Sequence, residues 1–453
     1  MRKKYLLEMA LMASLSFYSC DKEVIYVQDG EGVESVAAGA QIITLQVENG
    51  GDGLATRAGR PLYSAEAKQT IENVKLWICD ADGKVVVYVK NINDWNTSSA
   101  AYETGGHGRQ ATIELKDADK LAAGSYKVYA VGYSNSSDYD LSAVTEVKKT
   151  EEGEGKYTFK ENMVLPLSNT VGEEIFAGQM VLRVEDGKGF KKPIVLNRQV
   201  AGAFAYVKDI PYMAGAKYLK LVTSAQNQSL VLGKFNSVDL TGNGSGNGTN
   251  VKYVVNGTNG KSEGNEICSI DLNEWFTTIK DENGDNLIDT DNNWAKPEKY
   301  KGHALFEKGS VFGGEFVIPF AHVDGKQTLT LQLTKGNGDV LRSWKVNLGS
   351  ADEQVTSNEN NNKVTYWTGL AWDEYATVES ANSYSLVRNH LYGIGTRMYD
   401  NPSNPGVDPN PGDPDPDPTP ENPNDKPESL NNKQELVLKV NDNWEVIHGM
   451  ELE

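Results

Sequence analysis

Short runs in which apolar and polar residues alternate with a period of two recur along most of this chain, the spacing of a strand with one face on a core. Residues 41–48 (QIITLQVE) put Ile43, Leu45 and Val47 on one face and Thr44, Gln46 and Glu48 on the other. Residues 74–78 run to Asp82-Gly83 and then to 85–89, apolar runs around an Asp-Gly pair that predict a hairpin. Segments 126–133, 195–207, 217–232, 310–320, 328–333 and 343–346 continue the theme, with 195–207 read as the start of a strand pair. Helical periodicity is scarce, and the expected helical pieces are short, for example 173–180. Many short strands between Gly, Asn and Asp turns imply a mainly β fold of tandem β-sandwich domains.

The chain has 453 residues, 39% of them hydrophobic, enough for two or three domains with real cores. Its formal net charge of −19 argues against nucleic acid and anionic headgroups, which both require clustered Lys and Arg. Three cysteines cannot make a disulfide framework or a Cys-only zinc site, and five scattered histidines make no His-based metal centre. Cys79 and Cys268 read as buried free thiols in different domains rather than as a bridge.

The first residues look like an export signal. Arg2, Lys3 and Lys4 precede a short apolar run over 6–17, too short to span a bilayer. The run ends at Ser19-Cys20, and a small residue before a Cys at that place resembles a bacterial lipobox, with Cys20 as the acylated residue. An ordinary signal peptide with an incidental Cys is the alternative. Residues 21–38 read as an acidic tether, and 49–60 as an exposed loop of small residues carrying Arg57 and Arg60. No other segment reaches eighteen apolar residues.

Two low-complexity segments follow. Residues 242–248 (GNGSGNG) read as a flexible loop; they lack the strand–loop–helix context and the Lys of a phosphate site. Residues 401–428 hold ten of the sixteen prolines, a composition that favours extended polyproline II over any core. Beyond them Leu436, Leu438, Val440, Trp444, Val446, His448, Met450 and Leu452 fall on even numbers, and Glu435, Lys439, Glu445, Glu451 and Glu453 on odd ones. Val437 and Ile447 interrupt the polar face, and Asn441-Asp442-Asn443 predicts two strands or one bent strand. A long apolar strand on a tether either folds back onto its own domain or adds to a sheet of another molecule.

Four blocks, in this order, resemble the Bacteroidales fimbrillins (type V pilins), most of all those of short fimbriae. They are Thr56-Arg57-Ala58-Gly59, resembling a maturation site; Leu196-Asn197-Arg198-Gln199-Val200-Ala201; the strand 387–394 (VRNHLYGI); and the terminal Trp444-Glu445-Val446-Ile447-His448 after a Pro/Asp-rich linker. Gly202 stands where the family has a second Arg, and the terminal block is one residue longer before its His.

The resemblance implies transthyretin-like sandwich domains and a pathway. Residues 1–19 would be the lipoprotein signal peptide and 20–57 a propeptide with a leaving strand. Residues 58–187 and 188–400 would be the two sandwich domains, 401–430 the linker and 431–453 the donor strand. The lipidated chain would reach the outer membrane and be cut after Arg57, with Arg60 as second choice. The released strand 41–48 would leave a groove for another copy's C-terminal strand. Partners would be other copies of the chain, accessory fimbrial subunits, and host or bacterial surface ligands. The lipid would be the sole membrane contact, and no cofactor is implied.

Side-chain burial supports that order of events. The leaving strand offers Ile43, Leu45 and Val47; the donor offers Leu436, Leu438, Val440, Trp444, Val446, Met450 and Leu452. That is roughly 5–9 against 10–20 kcal/mol at about 1.5–3 kcal/mol per buried side chain.

Rival chemistry is thin. Asp281, Asn283, Asp285 and Asp289 place oxygens at alternate positions, as a calcium loop does. Yet Asn286 replaces the turn glycine and Asn292 the bidentate acid, which fits a solvated acidic turn. No nucleophile–base arrangement or HExxH motif appears, so the expected role is structural, not enzymatic. The alternatives are a fimbrial tip or accessory adhesin and a glycan-binding surface lipoprotein.

Overall fold

In a computed structural model, the described residues are 39–48, 71–83, 85–101, 108–135, 137, 139, 141, 145–148, 156–159, 162–166, 173–224, 226–235, 253–261, 265–298, 306–322, 328–348, 363–376, 384–395, 427–431 and 435–443. The fold is mainly β, with several sheets and only short helical turns among these residues.

The first large sheet has eight strands. Seven of them are β1 (Gln41–Glu48), β2 (Asn73–Cys79), β3 (Val86–Ile92), β4 (Gly108–Leu115), β5 (Gly124–Tyr133), β6 (Phe176–Val184) and β7 (Phe190–Arg198). The eighth is the two-residue Ala100–Ala101. Their spatial order is β3-β2-β5-β6-β7-β1-β4, with Ala100–Ala101 outside β4. Strands β6 and β7 pair only through Phe176↔Arg198 and Ala177↔Asn197. At that corner the sheet divides into two layers that close on one core. Leu76, Ile78, Val128 and Leu182 from one layer meet Ile43, Leu45, Ile113 and Ile194 from the other. This is a β-sandwich made by folding one sheet on itself.

The expected Asp-Gly hairpin forms: β2 and β3 pair antiparallel, and Gly83 takes the positive φ of 75° that the turn requires. The helix expected over 173–180 does not form. Residues 173–175 are irregular, and from Phe176 the chain is a strand paired along its length with β5. Pairing overrides helix propensity here. At Gly178 a Cβ would stand 2.0 Å from the Val195 carbonyl oxygen, so only glycine admits the neighbouring backbone.

The second sheet contains β8 (Ala201–Lys208), β9 (Ala216–Thr223), β10 (Asn265–Asp271), β11 (Val311–Val317), β12 (Leu329–Lys335), β13 (Val340–Leu348), β14 (His390–Ile394) and β15 (Glu435–Asn443). Their order is β10-β9-β12-β13-β15-β14-β8-β11. Glu428–Ser429 pairs parallel with β8, and Leu430 is fully buried, so the last residues of the 401–430 linker dock on this sheet. The core joins Leu219, Leu331, Trp344 and Val346 to Phe204, Tyr206, Phe312 and Tyr392.

Residues 195–207 do not start a strand pair within one sheet. Strand β7 belongs to the first sheet and β8 to the second, and the chain crosses between them at Gln199–Val200, beyond the Gly187 boundary drawn from sequence. The two sheets are also joined physically. Met163–Pro166 pairs with Gln226–Leu232 in a three-stranded sheet, and Trp77, Tyr129, Ile175, Leu230, Leu232 and Ile318 share a third core. Strand β2 is accordingly buried on both faces, with Leu76 and Ile78 in one core and Trp77 and Cys79 in the other.

Candidate functional site

Two strands near the ends of the chain are interior strands of sheets that the rest of the chain builds. Strand β1 lies between β7, parallel in register Gln41↔Phe190 to Val47↔Leu196, and β4, antiparallel in register Gln41↔Leu115 to Glu48↔Gly108. Both of its edges are paired along nearly their whole length. Ile43, Leu45 and Val47 are fully buried, as the alternation predicts. Contrary to the half-buried reading, Thr44 and Gln46 on the other face are buried as well. The amide of Gln46 donates to Gln110 Oε1 at 3.5 Å.

The start of β1 carries a latch that alternation alone does not signal. Gln41 Nε2 donates to the Leu121 carbonyl at 2.9 Å, and the Leu121 N–H donates back to Gln41 Oε1 at 2.8 Å. A primary amide is the side-chain group that answers a backbone N–H and C=O at once. Lys120 Nζ donates to the Gly39 carbonyl at 3.0 Å.

Strand β15 spans a corner instead. Residues 435–438 run parallel to 345–348 of β13, and 439–443 run antiparallel to 390–393 of β14. Leu436 and Leu438 are buried in the second core, while Glu435 and Val437 face outward. Glu435 approaches Lys345 at 3.5 Å and accepts from Asn347 Nδ2 at 3.4 Å. The Asn441-Asp442-Asn443 break does not end the strand; a register shift opposite Leu391/Tyr392 absorbs one residue and pairing resumes to Asn443. Of the two fates open to the terminal segment, residues 435–443 take the return to their own domain. Val440 pairs with Tyr392 there, whereas Trp444, Val446, Met450 and Leu452 lie outside the described residues, as do Cys20, Arg57 and Arg60.

A buried polar hub joins the walls of the two sites. Arg388, 1% exposed, donates from Nη1 to Gln199 Oε1 at 3.0 Å and to the Gly233 carbonyl at 2.9 Å, and from Nη2 to the Lys234 carbonyl. Gln199 Nε2 donates to the Asn197 carbonyl at 2.8 Å, and Asn256 Nδ2 to the Gln199 carbonyl at 3.1 Å. Nearby, Arg198 Nε donates to Glu174 Oε1 at 2.7 Å, with both side chains buried, and its guanidinium lies 5.0 Å from the Phe176 ring centroid. Arg198 ends the neighbour of β1, and Arg388 stands two residues before the neighbour of β15. His390 is fully buried, and its Nδ1 donates to the Arg388 carbonyl at 2.8 Å. Burial holds its pKa down, to about 4.

The acidic loop is a set of side-chain turns. Asp281 accepts from the backbone N–H groups of Gly284 at 2.8 Å and Asn286 at 3.0 Å, Asp285 from Leu287 at 2.8 Å, and Asp289 from Glu282 at 2.9 Å. Asn283 Oδ1 accepts from the Asp285 N–H at 2.9 Å. The carboxylates thus serve the loop's own backbone, and no group of three or more metal-ligating side chains converges among the described residues. Cys79 and Cys268 are free and buried in different sheets, and desolvation pushes each thiol up to about 12.

No family model and no curated protein matches the chain. Its fold is similar to solved structures. The fimbrial anchor protein Mfa2 from Porphyromonas gingivalis aligns at 13% identity and a TM-score of 0.31, covering 67% of this chain and 81% of that one. A fimbrial assembly protein from Parabacteroides distasonis aligns at 12% identity and 0.31, covering 74% and 94%. The tip fimbrial protein Mfa3 from Porphyromonas gingivalis, with a C-terminal truncation, aligns at 9% identity and 0.35, covering 78% and 93%.

Proposed function

We propose that this chain is a structural subunit of a cell-surface fimbria. It is exported as a lipoprotein on Cys20, trimmed after Arg57 or Arg60, and polymerised when another copy's C-terminal strand replaces β1. The observation that carries the reading is the placement of β1. An interior strand, hydrogen-bonded on both edges and apolar where it meets the core, stands N-terminal to both arginines. One cut in the intervening segment turns it from part of the chain into a bound peptide.

The energetics make the cut decisive. Strand β1 buries Ile43, Leu45 and Val47, worth roughly 5–9 kcal/mol, and the tail beyond Asn443 offers Trp444, Val446, Met450 and Leu452, worth roughly 6–12 kcal/mol. These ranges overlap. While β1 is tethered its effective concentration is on the order of millimolar or more, and the incoming strand cannot compete. Once cut, β1 is subject to dilution, and an extended strand from another copy satisfies the same backbone groups by β-strand addition.

Replacing Arg57 and Arg60 together with Ala tests this. Lipid attachment should persist and filaments should disappear. Filaments built from an uncut variant would overturn the reading. A second reading, an accessory subunit at a filament end, needs a groove but no donor, and β15 lying closed in its own sheet fits it as well as it fits a shaft subunit that donates only the residues after Asn443. Immunogold label confined to filament ends would select it.

A further inference from the structure

Resting on the exchange reading, we infer that β15 stays in its own sheet during assembly and that the chain passes to the neighbouring copy only after Asn443. The side-chain pattern alone would allow the opposite. Gln41-x-Ile43-x-Leu45-x-Val47 of β1 is repeated as Gln434-x-Leu436-x-Leu438-x-Val440 in the terminal segment, so 434–440 carries the pattern needed to fill the vacated place. Each strand also has one parallel and one antiparallel neighbour.

The cost of leaving separates them. Strand β1 sits within one layer of its sandwich, between β7 and β4. Strand β15 is the corner of the other, pairing through 435–438 with β13 in one layer and through 439–443 with β14 in the other. Its departure would divide the second sheet into β10-β9-β12-β13 and β14-β8-β11 and strip Leu436 and Leu438 from the core. Filling a neighbour's groove with these residues would open an equal one at home, with the same side chains moved and no net burial gained.

Residues after Asn443 continue the even-numbered alternation through Trp444, Val446, Met450 and Leu452. Ten residues, 444–453, match the eight of β1 in reach. The docked Glu428–Ser429 and Leu430 hold the chain on the same sheet just before β15, so the crossing segment starts from a fixed point. In this arrangement β15 is the anchor through which tension on the filament reaches the second sandwich.

A reversible lock decides the matter. Asn347 and Val437 are directly paired on the outer face of β13 and β15, and Val437 is 40% exposed. The full chain carrying N347C and V437C, oxidised and then trimmed with an arginine-specific protease, should polymerise within about twofold of its reduced form. The buried Cys79 and Cys268 thiols, raised to about 12, stay out of the exchange. Filaments from the reduced form alone would overturn the inference, since β15 would then have to leave. The natural chain truncated after Asn443 supplies a second measurement: it should melt like the full chain and form no filaments, and filaments from it would equally overturn the inference. If the trimmed natural chain itself forms none, the exchange reading fails instead.

Discussion

Arg388 donates to Gln199 Oε1 at 3.0 Å, joining the turn that leads into β14 to the residue at which the chain leaves the first sheet. The same guanidinium serves the Gly233 and Lys234 carbonyls, so one side chain ties together three separate segments at the junction of the two sandwiches. A planar fork can answer three acceptors at fixed angles; an ammonium on a flexible stem cannot.

Arg388→Lys should therefore destabilise the fold by about 3 kcal/mol, because buried acceptors left without donors cost about 1–3 kcal/mol each. Denaturant midpoints at a constant m-value measure it. A change below about 0.5 kcal/mol would show that the hub is not holding the sandwiches together.

His390 sets an acid limit on stability. Its folded pKa is lowered from 6.5 to about 4 by burial, so between those values the unfolded chain binds a proton that the folded chain refuses. The stabilisation is complete above about pH 6.5 and is lost as pH falls towards 4, amounting to about 2 kcal/mol by pH 5. His390→Gln should flatten the pH 7.5 to pH 5 difference by about that amount. An unchanged slope in denaturant titrations at the two pH values would place the acid sensitivity elsewhere.

Truncations on either side of β15 should behave oppositely. Ending the chain at Asn443 leaves Leu436 and Leu438 in place. Ending it at Leu430 removes both, and each buried leucine lost costs about 2–5 kcal/mol before the lost strand pairing is counted. The shorter chain should melt far below the longer one and expose apolar surface to a dye such as ANS. Equal melting temperatures would mean that β15 contributes nothing to its own sandwich.

The parts legible in the sequence were those governed by local alternation. Residues 41–48, the Asp-Gly hairpin and the inward Leu436 and Leu438 follow from a period of two, because each side chain's face is set by its neighbours along the strand. Pairing between distant strands was not legible. The run 195–207 reads as a strand pair, yet Gln199–Val200 sends its halves to different sheets. Residues 173–180 look helical until β5 and β7 claim Phe176 onward. The Gln41 latch was hidden because its partner is the backbone of Leu121, eighty residues away, which leaves no side-chain signature. The repeat of Gln41-Ile43-Leu45-Val47 in Gln434-Leu436-Leu438-Val440 was visible throughout, and its meaning waited on the sight of two interior strands.

That latch gives the remaining prediction. Gln41 is 6% exposed, and its amide makes two hydrogen bonds with Leu121, at 2.9 and 2.8 Å. Gln41→Ala leaves both backbone groups of Leu121 without these partners at the end of the groove, at a net cost of about 1–2 kcal/mol to the bound strand. After the arginine cut, the peptide should leave roughly 5–30 times faster than from the natural chain, since each 1.4 kcal/mol is a factor of ten. In the uncut chain the tether masks most of that difference. Mass spectrometry of the trimmed protein, sampled over time after removal of free peptide, reads the rate directly. Equal rates for the two chains would mean that the grip on β1 comes from Ile43, Leu45, Val47 and the two backbone ladders alone, and that the polar end of the groove plays no part in timing its release.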